Sequence, residues 1–425
     1  MHTQTPSRAV QTRLALTILA AVFFMWGFAT VLNDILVPHL KAVFRLNYAE
    51  SLLIQFVFYL AYLVMAMPAA ATLKRVGYKA CIVIGLSGMA VSALGFLPAA
   101  LLQSYGVFLL ALFLLASSIT LLQVAANPYV TLIGEPATAS SRLNLVQAFN
   151  SLGTTVAPLF GGMLILSRSA SGTVQAGVAL TSAQRLADVQ TVEIPYLLVA
   201  AVLIALAILV WRTHLPDLGE ESRREFREER RKYSLWRHRN LVLGVPAICF
   251  YLVAEIGIGS TLVNFIAQDD VGAMSYANAS TYVSIFWGGA MVGRFMGALA
   301  LRTIAPQHLL AAASAGALVL VLLAITTHGH LAMWCLIAVG LCHSIMFPTI
   351  FTLGIKGLGP LTQEGSGLLI MAIAGGALSA VQGVLADHIG LQQSYLLPAA
   401  CYIYVLFYAL SGSRPTAALA EERLA

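Results

Sequence analysis

The sequence predicts an all-α membrane protein whose twelve transmembrane helices fall into two six-helix halves. Three observations predict it. Of 425 residues, 59% are hydrophobic and 10% charged, with a mean hydropathy of +0.84, whereas a soluble domain carries about 25% charged residues. Twelve mostly apolar stretches are each long enough to cross a hydrocarbon core, which takes roughly 20 helical residues. The fourth and tenth of them share a segment at an offset of 220 residues, PYVTLIG at 128–134 and PTIFTLG at 348–354. The same composition excludes a disordered chain and a disulfide-stapled scaffold. The five cysteines lie inside apolar runs with no Cys-x-x-Cys pair, so they read as small buried residues and not as a metal site.

Each span has its own justification. The first, 14–37, has no small-residue cleavage pattern after it and reads as a permanent helix. The second, 49–71, and the third, 79–101, are divided by the basic, glycine-containing KRVGYK at 74–79. The fourth, 105–130, opens on YGVFLLALFLLASSITLL, whose unbroken apolar run favours a helix over the alternating strands of a membrane barrel. The fifth, 144–166, and the sixth, 195–212, complete the first half. The second half holds 241–267, 278–301, 309–327, 331–354, 366–386 and 392–411. The shared segment makes the halves a parallel duplication, as expected of a transporter whose two bundles rock around a central site.

Charge divides the chain and orients it. The stretch 212–239 holds 15 of the 42 charged residues, with EESRREFREERRK at 220–232 mixing both signs at helical spacing. It reads as a solvated cytoplasmic linker, giving three regions: a first bundle over 1–212, the linker over 213–240 and a second bundle over 241–425. Of the 24 lysines and arginines, 19 fall on the side of the termini and four on the other. Both termini are therefore expected in the cytoplasm, with the chain multi-pass in the inner membrane. The net charge of +6 follows from that loop bias and implies no nucleic-acid partner. A monomer in the bilayer is expected.

Four segments carry a resemblance. They are WGFATVLNDILVPHLKAVF at 26–44, QVAANPYVTLIG at 123–134, RLNLVQAFNSLG at 142–153 and SIMFPTIFTLGIKGLG at 344–359. In this order and spacing they resemble the fucose permease family of the major facilitator superfamily, over the whole chain except the linker and 167–194. The resemblance implies the major facilitator fold and ion-driven sugar uptake through a cavity that opens alternately to either side. It also implies roles for three positions. Asp34, in the Leu-Asn-Asp-Ile-Leu context, matches an aspartate linked to proton coupling. Gln123 stands where the fucose permease has a glutamate, so one of two titratable groups is missing. Asn150 matches an asparagine of the cavity. The superfamily's Asp-Arg-x-Gly-Arg-Lys loop is degraded, with Lys74 at the Asp position and Tyr78 at that of the second Arg, which puts its gating salt bridge in question.

The residues themselves point the same way. A carboxylate inside a span costs about 2.5–3.5 kcal/mol to insert, so Asp34 and Glu255, the latter near the middle of the seventh span, mark an ion or proton path. Glu255 either binds sugar hydroxyls or replaces the carboxylate lost at Gln123, while pairing with Arg294 is the plainer alternative. Sugar hydroxyls both donate and accept, and a pyranose has an apolar face, so amides and aromatic rings suit it. Gln55, Gln123, Asn127, Gln147, Asn150 and Asn264 lie within or at the ends of spans, beside Trp26 and Tyr59. Asn127, next to Pro128, could instead cap carbonyls freed by the proline. His343 could titrate or donate to a sugar oxygen.

The function expected is therefore proton-driven import of a monosaccharide, whether a hexose, a fucose-like sugar or an amino sugar. Sodium coupling is the alternative, and a drug or metabolite antiporter of the same superfamily is a weaker one. No cofactor is expected. An intramembrane enzyme is disfavoured because His-Glu-x-x-His is absent and Asp269 and Asp270 have no second aspartate cluster to hold magnesium around a diphosphate.

Overall fold

The structure is a computed structural model that describes residues 8–44, 48–102, 104–161, 182–216 and 234–415, with side chains at 8–9, 32–52, 100, 159–193 and 277 outside the description. The described residues form helices joined by short turns and loops, with no strand among them, as expected. The helices are α1 (Arg8–Phe44), α2 (Tyr48–Leu101), α3 (Tyr105–Leu132), α4 (Ala139–Gly161), α5 (Ser182–Arg212), α6 (Arg239–Ala267), α7 (Tyr276–Ala300), α8 (Pro306–Thr326), α9 (Gly329–His343) and α10 (Met346–Ile355). They are followed by α11 (Thr362–Met371), α12 (Ala380–Ile389), α13 (Leu391–Ser394) and α14 (Leu396–Phe407). A 3-10 segment, Ala372–Ser379, joins α11 to α12 into one apolar stretch.

Among the described residues, ten helical stretches are long and apolar enough to cross a membrane. One of them, Leu53–Ala99, has 47 residues, or about 70 Å of helix at 1.5 Å per residue, enough for two crossings. It breaks at Gly77, whose φ of 83° and ψ of 172° suit only glycine without strain. The break falls inside the KRVGYK loop. With α4, whose end lies outside the described side chains, the pattern is consistent with twelve spans.

The chain packs as two compact units. The first comprises Met1–Ala126 and Phe149–Pro216; the second comprises Asn127–Ala148 and Asp217–Ala425. In the first, α1 and α4 cross at two glycines: a Cβ on Gly27 would strike the Asn150 carbonyl, and one on Gly153 the Phe24 carbonyl. Only backbones without side chains approach so closely. An aromatic cluster fills another part of the same unit, with the Phe96 ring 5.4 Å from Phe108 and 5.1 Å from Tyr196.

The second unit uses the same device. Gly340 of α9 lies against the Phe286 carbonyl of α7, and Gly375 against the Cys249 backbone of α6. Its largest buried side chains include Tyr251, Phe265, Phe286, Phe351, Tyr395, Tyr402 and Tyr408. The hairpin formed by the end of α3 and the start of α4 belongs to this unit: Ser140 hydrogen-bonds Thr352 at 2.7 Å, and Ser141 donates to the Ala298 carbonyl at 2.5 Å. Arg142 closes the hairpin itself, donating to the carbonyls of Val130, Thr131 and Glu135 at 2.7–3.1 Å and to the Thr138 hydroxyl at 2.5 Å. The last turn of α3 leaves carbonyls without helical partners, and a buried guanidinium satisfies several at once.

Candidate functional site

In the first unit, Gln123 is 2% exposed on the inner part of α3. Its Nε2 donates to the Tyr62 hydroxyl of α2 at 2.7 Å, while its Oε1 has no protein partner among the described residues. Tyr62 is itself buried and leans on Phe58, which meets Tyr59 edge-on at 5.8 Å. Asn150 reaches across the glycine crossing to donate from Nδ2 to the Phe23 carbonyl of α1 at 2.9 Å. Half-buried Trp26 stands edge-on to Phe23 at 5.2 Å. The structure thus brings Gln123 to Tyr62, and Asn150 to the Phe23–Trp26 stretch. Gln55 is exposed and joins neither group. The Asp34 side chain lies outside the described residues.

In the second unit, Glu255 is 8% exposed on α6. The Tyr251 hydroxyl, one turn earlier on the same helix, hydrogen-bonds its carboxyl group and also lies 3.4 Å from the His343 carbonyl. The charge of Arg294 on α7 acts on Glu255, Tyr251 and His343, and its Nε donates to the Ser344 carbonyl at 3.2 Å. Arg294 is thus within electrostatic range of Glu255, the partner that the plainer sequence alternative names. His343 is buried, with Nε2 hydrogen-bonded to the Tyr402 hydroxyl of α14 and its ring edge-on to Tyr251 and Phe286 at 5.7 Å. Its Nδ1 has no partner among the described residues.

Asn127 and Gln147 are buried on the two arms of the α3–α4 hairpin. Both amide atoms of Asn127 and the Nε2 of Gln147 lack protein partners among the described residues. With both amide atoms unpartnered among the described residues, Asn127 caps no carbonyl freed by Pro128. Asn264 is exposed and apart from the Glu255 group.

Sequence reasoning overlooked several participants. Tyr251 had a local signal, since it precedes Glu255 by one helical turn and shares its face. Tyr402 and Tyr395 come from distant helices and had none. Tyr395 belongs to a second network, in which Gln382 Nε2 donates to the Thr261 hydroxyl at 3.3 Å and that hydroxyl meets Tyr395 at 3.0 Å. Among the described residues no group of three histidine, cysteine or acidic side chains could hold a metal ion.

Set beside known proteins, the chain matches the family model described as Major Facilitator Superfamily over residues 16–381. It is 48% identical to a glucose/galactose transporter of Brucella abortus over 97% of both chains. It is 34% identical to the L-fucose-proton symporter of Escherichia coli, over 92% of this chain and 91% of that one. The crystal structure of FucP in the outward conformation superposes with a TM-score of 0.84 at 32% identity, covering 94% of this chain and 98% of the other. The chain belongs to the Major Facilitator Superfamily and, within it, to the fucose permease family.

Proposed function

We propose that this protein imports a monosaccharide by proton symport through alternating access, with glucose and galactose the first candidates and fucose the next. The family consists of transporters, not enzymes. What supports the sugar reading most directly is Gln123: a buried amide whose donor is used and whose acceptor is free. An unpaired buried polar atom costs about 1–3 kcal/mol, and a sugar hydroxyl donating to Oε1 would remove that cost. Asn127, Gln147 and His343 present further buried polar atoms without partners among the described residues. The relatives named for glucose, galactose and L-fucose narrow the substrate class.

In this reading Asp34 carries the coupled proton and Glu255 is a second coupling group. Gln123, Asn150, Asn127, Gln147 and His343 bind hydroxyls, with Gln55 and Asn264 at more exposed positions, and Trp26 and Tyr59 offer apolar ring surface. The three-region division and cytoplasmic termini form part of the proposal.

The test is uptake of labelled D-glucose, D-galactose, L-fucose and glucosamine into proteoliposomes under imposed proton or sodium gradients. Proton-driven accumulation of at least one sugar is expected. Uptake of none under either gradient overturns the reading, and accumulation driven by sodium alone overturns the proton assignment. Asp34→Asn is expected to abolish accumulation while leaving sugar exchange measurable; unchanged accumulation would remove Asp34 from the coupling role.

A further inference from the structure

A close contact and a charge interaction relate one face of α6 to one face of α7. A Cβ built on Gly259 would lie 2.9 Å from Cζ2 and 3.6 Å from Cη2 of Trp287, so the six-membered ring of the indole sits directly against the α6 backbone. The charge of Arg294 on α7 acts on Glu255 of α6. Glu255 and Gly259 are one helical turn apart on α6, and Trp287 and Arg294 two turns apart on α7, so each pair shares a face. The positions on α6 are separated by about 6 Å along the axis.

Trp287 keeps 40% of its surface exposed although the Gly259 backbone fixes one part of its ring and buried Phe286 meets it edge-on at 5.0 Å. That open surface does not belong to the apolar outer stripe of α7. Ile285, Val292, Met296 and Leu299, all exposed, lie roughly 120–180° around the helix from Trp287 at 3.6 residues per turn. Exposed Ser280 and Ser284, and Arg294, lie within about 60° of it, alongside the half-buried Val283 and Met291. A rigidly seated indole with an open surface beside polar side chains is what the apolar face of a pyranose stacks on, with hydroxyl partners around it.

We infer that Trp287, seated on Gly259, is the stacking platform of a monosaccharide subsite in the second unit, with Glu255 and Arg294 at its inner end as partners for hydroxyls. This rests on the sugar-transport reading above and adds to it a specific binding residue. Gly259 is a positioning residue: any side chain there displaces the ring without removing it.

The test is sugar exchange, without a driving gradient, in proteoliposomes preloaded with D-galactose or D-glucose. Trp287→Ala is expected to raise KM roughly tenfold with little change in maximal rate, since the lost contact serves binding throughout. Gly259→Val is expected to raise KM in the same direction. As a second readout, Trp287→Phe keeps a ring at the site but removes one of the five tryptophans. The fluorescence change that sugar causes in the parent protein is expected to fall by more than half in that variant, with the remainder coming from Trp26. Parent-like KM in Trp287→Ala overturns the subsite, and so does a sugar-induced fluorescence change of parent size in Trp287→Phe if the alanine variant does not fold. Failure of the parent to exchange any sugar is a distinct result, which overturns the sugar reading and the subsite with it.

Discussion

The two units treat buried polarity differently. In the first, the described buried polar side chains are serines, a threonine, Gln123 and Asn150, and all are uncharged. The second buries Arg142, Glu255, Glu364, His238 and His343 as well as its amides. A neutral amide can be left half-satisfied at a cost of about 1–3 kcal/mol, and Gln123 is. A buried charge cannot be left alone so cheaply. Accordingly Glu255 sits with Tyr251 and Arg294, and Arg142 with four acceptors. Unused hydrogen-bonding capacity among the described residues sits on Gln123 in the first unit and on Asn127, Gln147 and His343 in the second, where Glu255 and Arg142 are engaged with protein groups.

The most severe way to break this contrast is to remove one charge from the second unit. Arg294→Met should destabilise the protein by about 1–3 kcal/mol, because it removes the donor to the Ser344 carbonyl and the charge that acts on buried Glu255. Adding Glu255→Gln should recover a large part of the loss, measured as thermal unfolding in detergent. A second unit indifferent to Arg294→Met would mean that the pairing carries no weight.

The next effect comes from the α1–α4 crossing. Gly153→Ala forces a Cβ onto the Phe24 carbonyl and should cost about 1–3 kcal/mol of stability through overpacking. It should also weaken sugar binding, because it displaces Asn150 from Phe23. Gln123→Leu should cost about 1–2 kcal/mol by leaving the Tyr62 hydroxyl unpaired, and should raise KM in exchange. If its stability loss came without a change in KM, Gln123 would be a purely structural amide. Thr261→Val should show the smallest effect, about 0.6 kcal/mol, the usual scale for a hydrogen bond between membrane helices.

The helical class, most of the apolar spans and the Gly77 break were legible because each rests on local chemistry: apolar length and a glycine between charges. Gln123 and Asn150 were legible through their motifs, and both prove buried. Their partners were not, since Tyr62 is 61 residues from Gln123 and Phe23 is 127 from Asn150, and those meetings depend on how the helices cross. The crossing glycines Gly27 and Gly153 looked no different from glycines elsewhere. Asn264 and Gln55 show the converse: an amide in an apolar run can face outward, and composition does not say which way. Arg294 was named from the sequence only as a plainer partner for Glu255, and its long stem lets the guanidinium act there.

Arg142 holds the end of α3 to the start of α4 through four bonds, so neither arm of that hairpin can slide past the other without stranding a buried guanidinium. Asn127 on one arm and Gln147 on the other are therefore mechanically one piece. Whatever displaces one amide carries the other with it, so the two would meet or release a ligand in step.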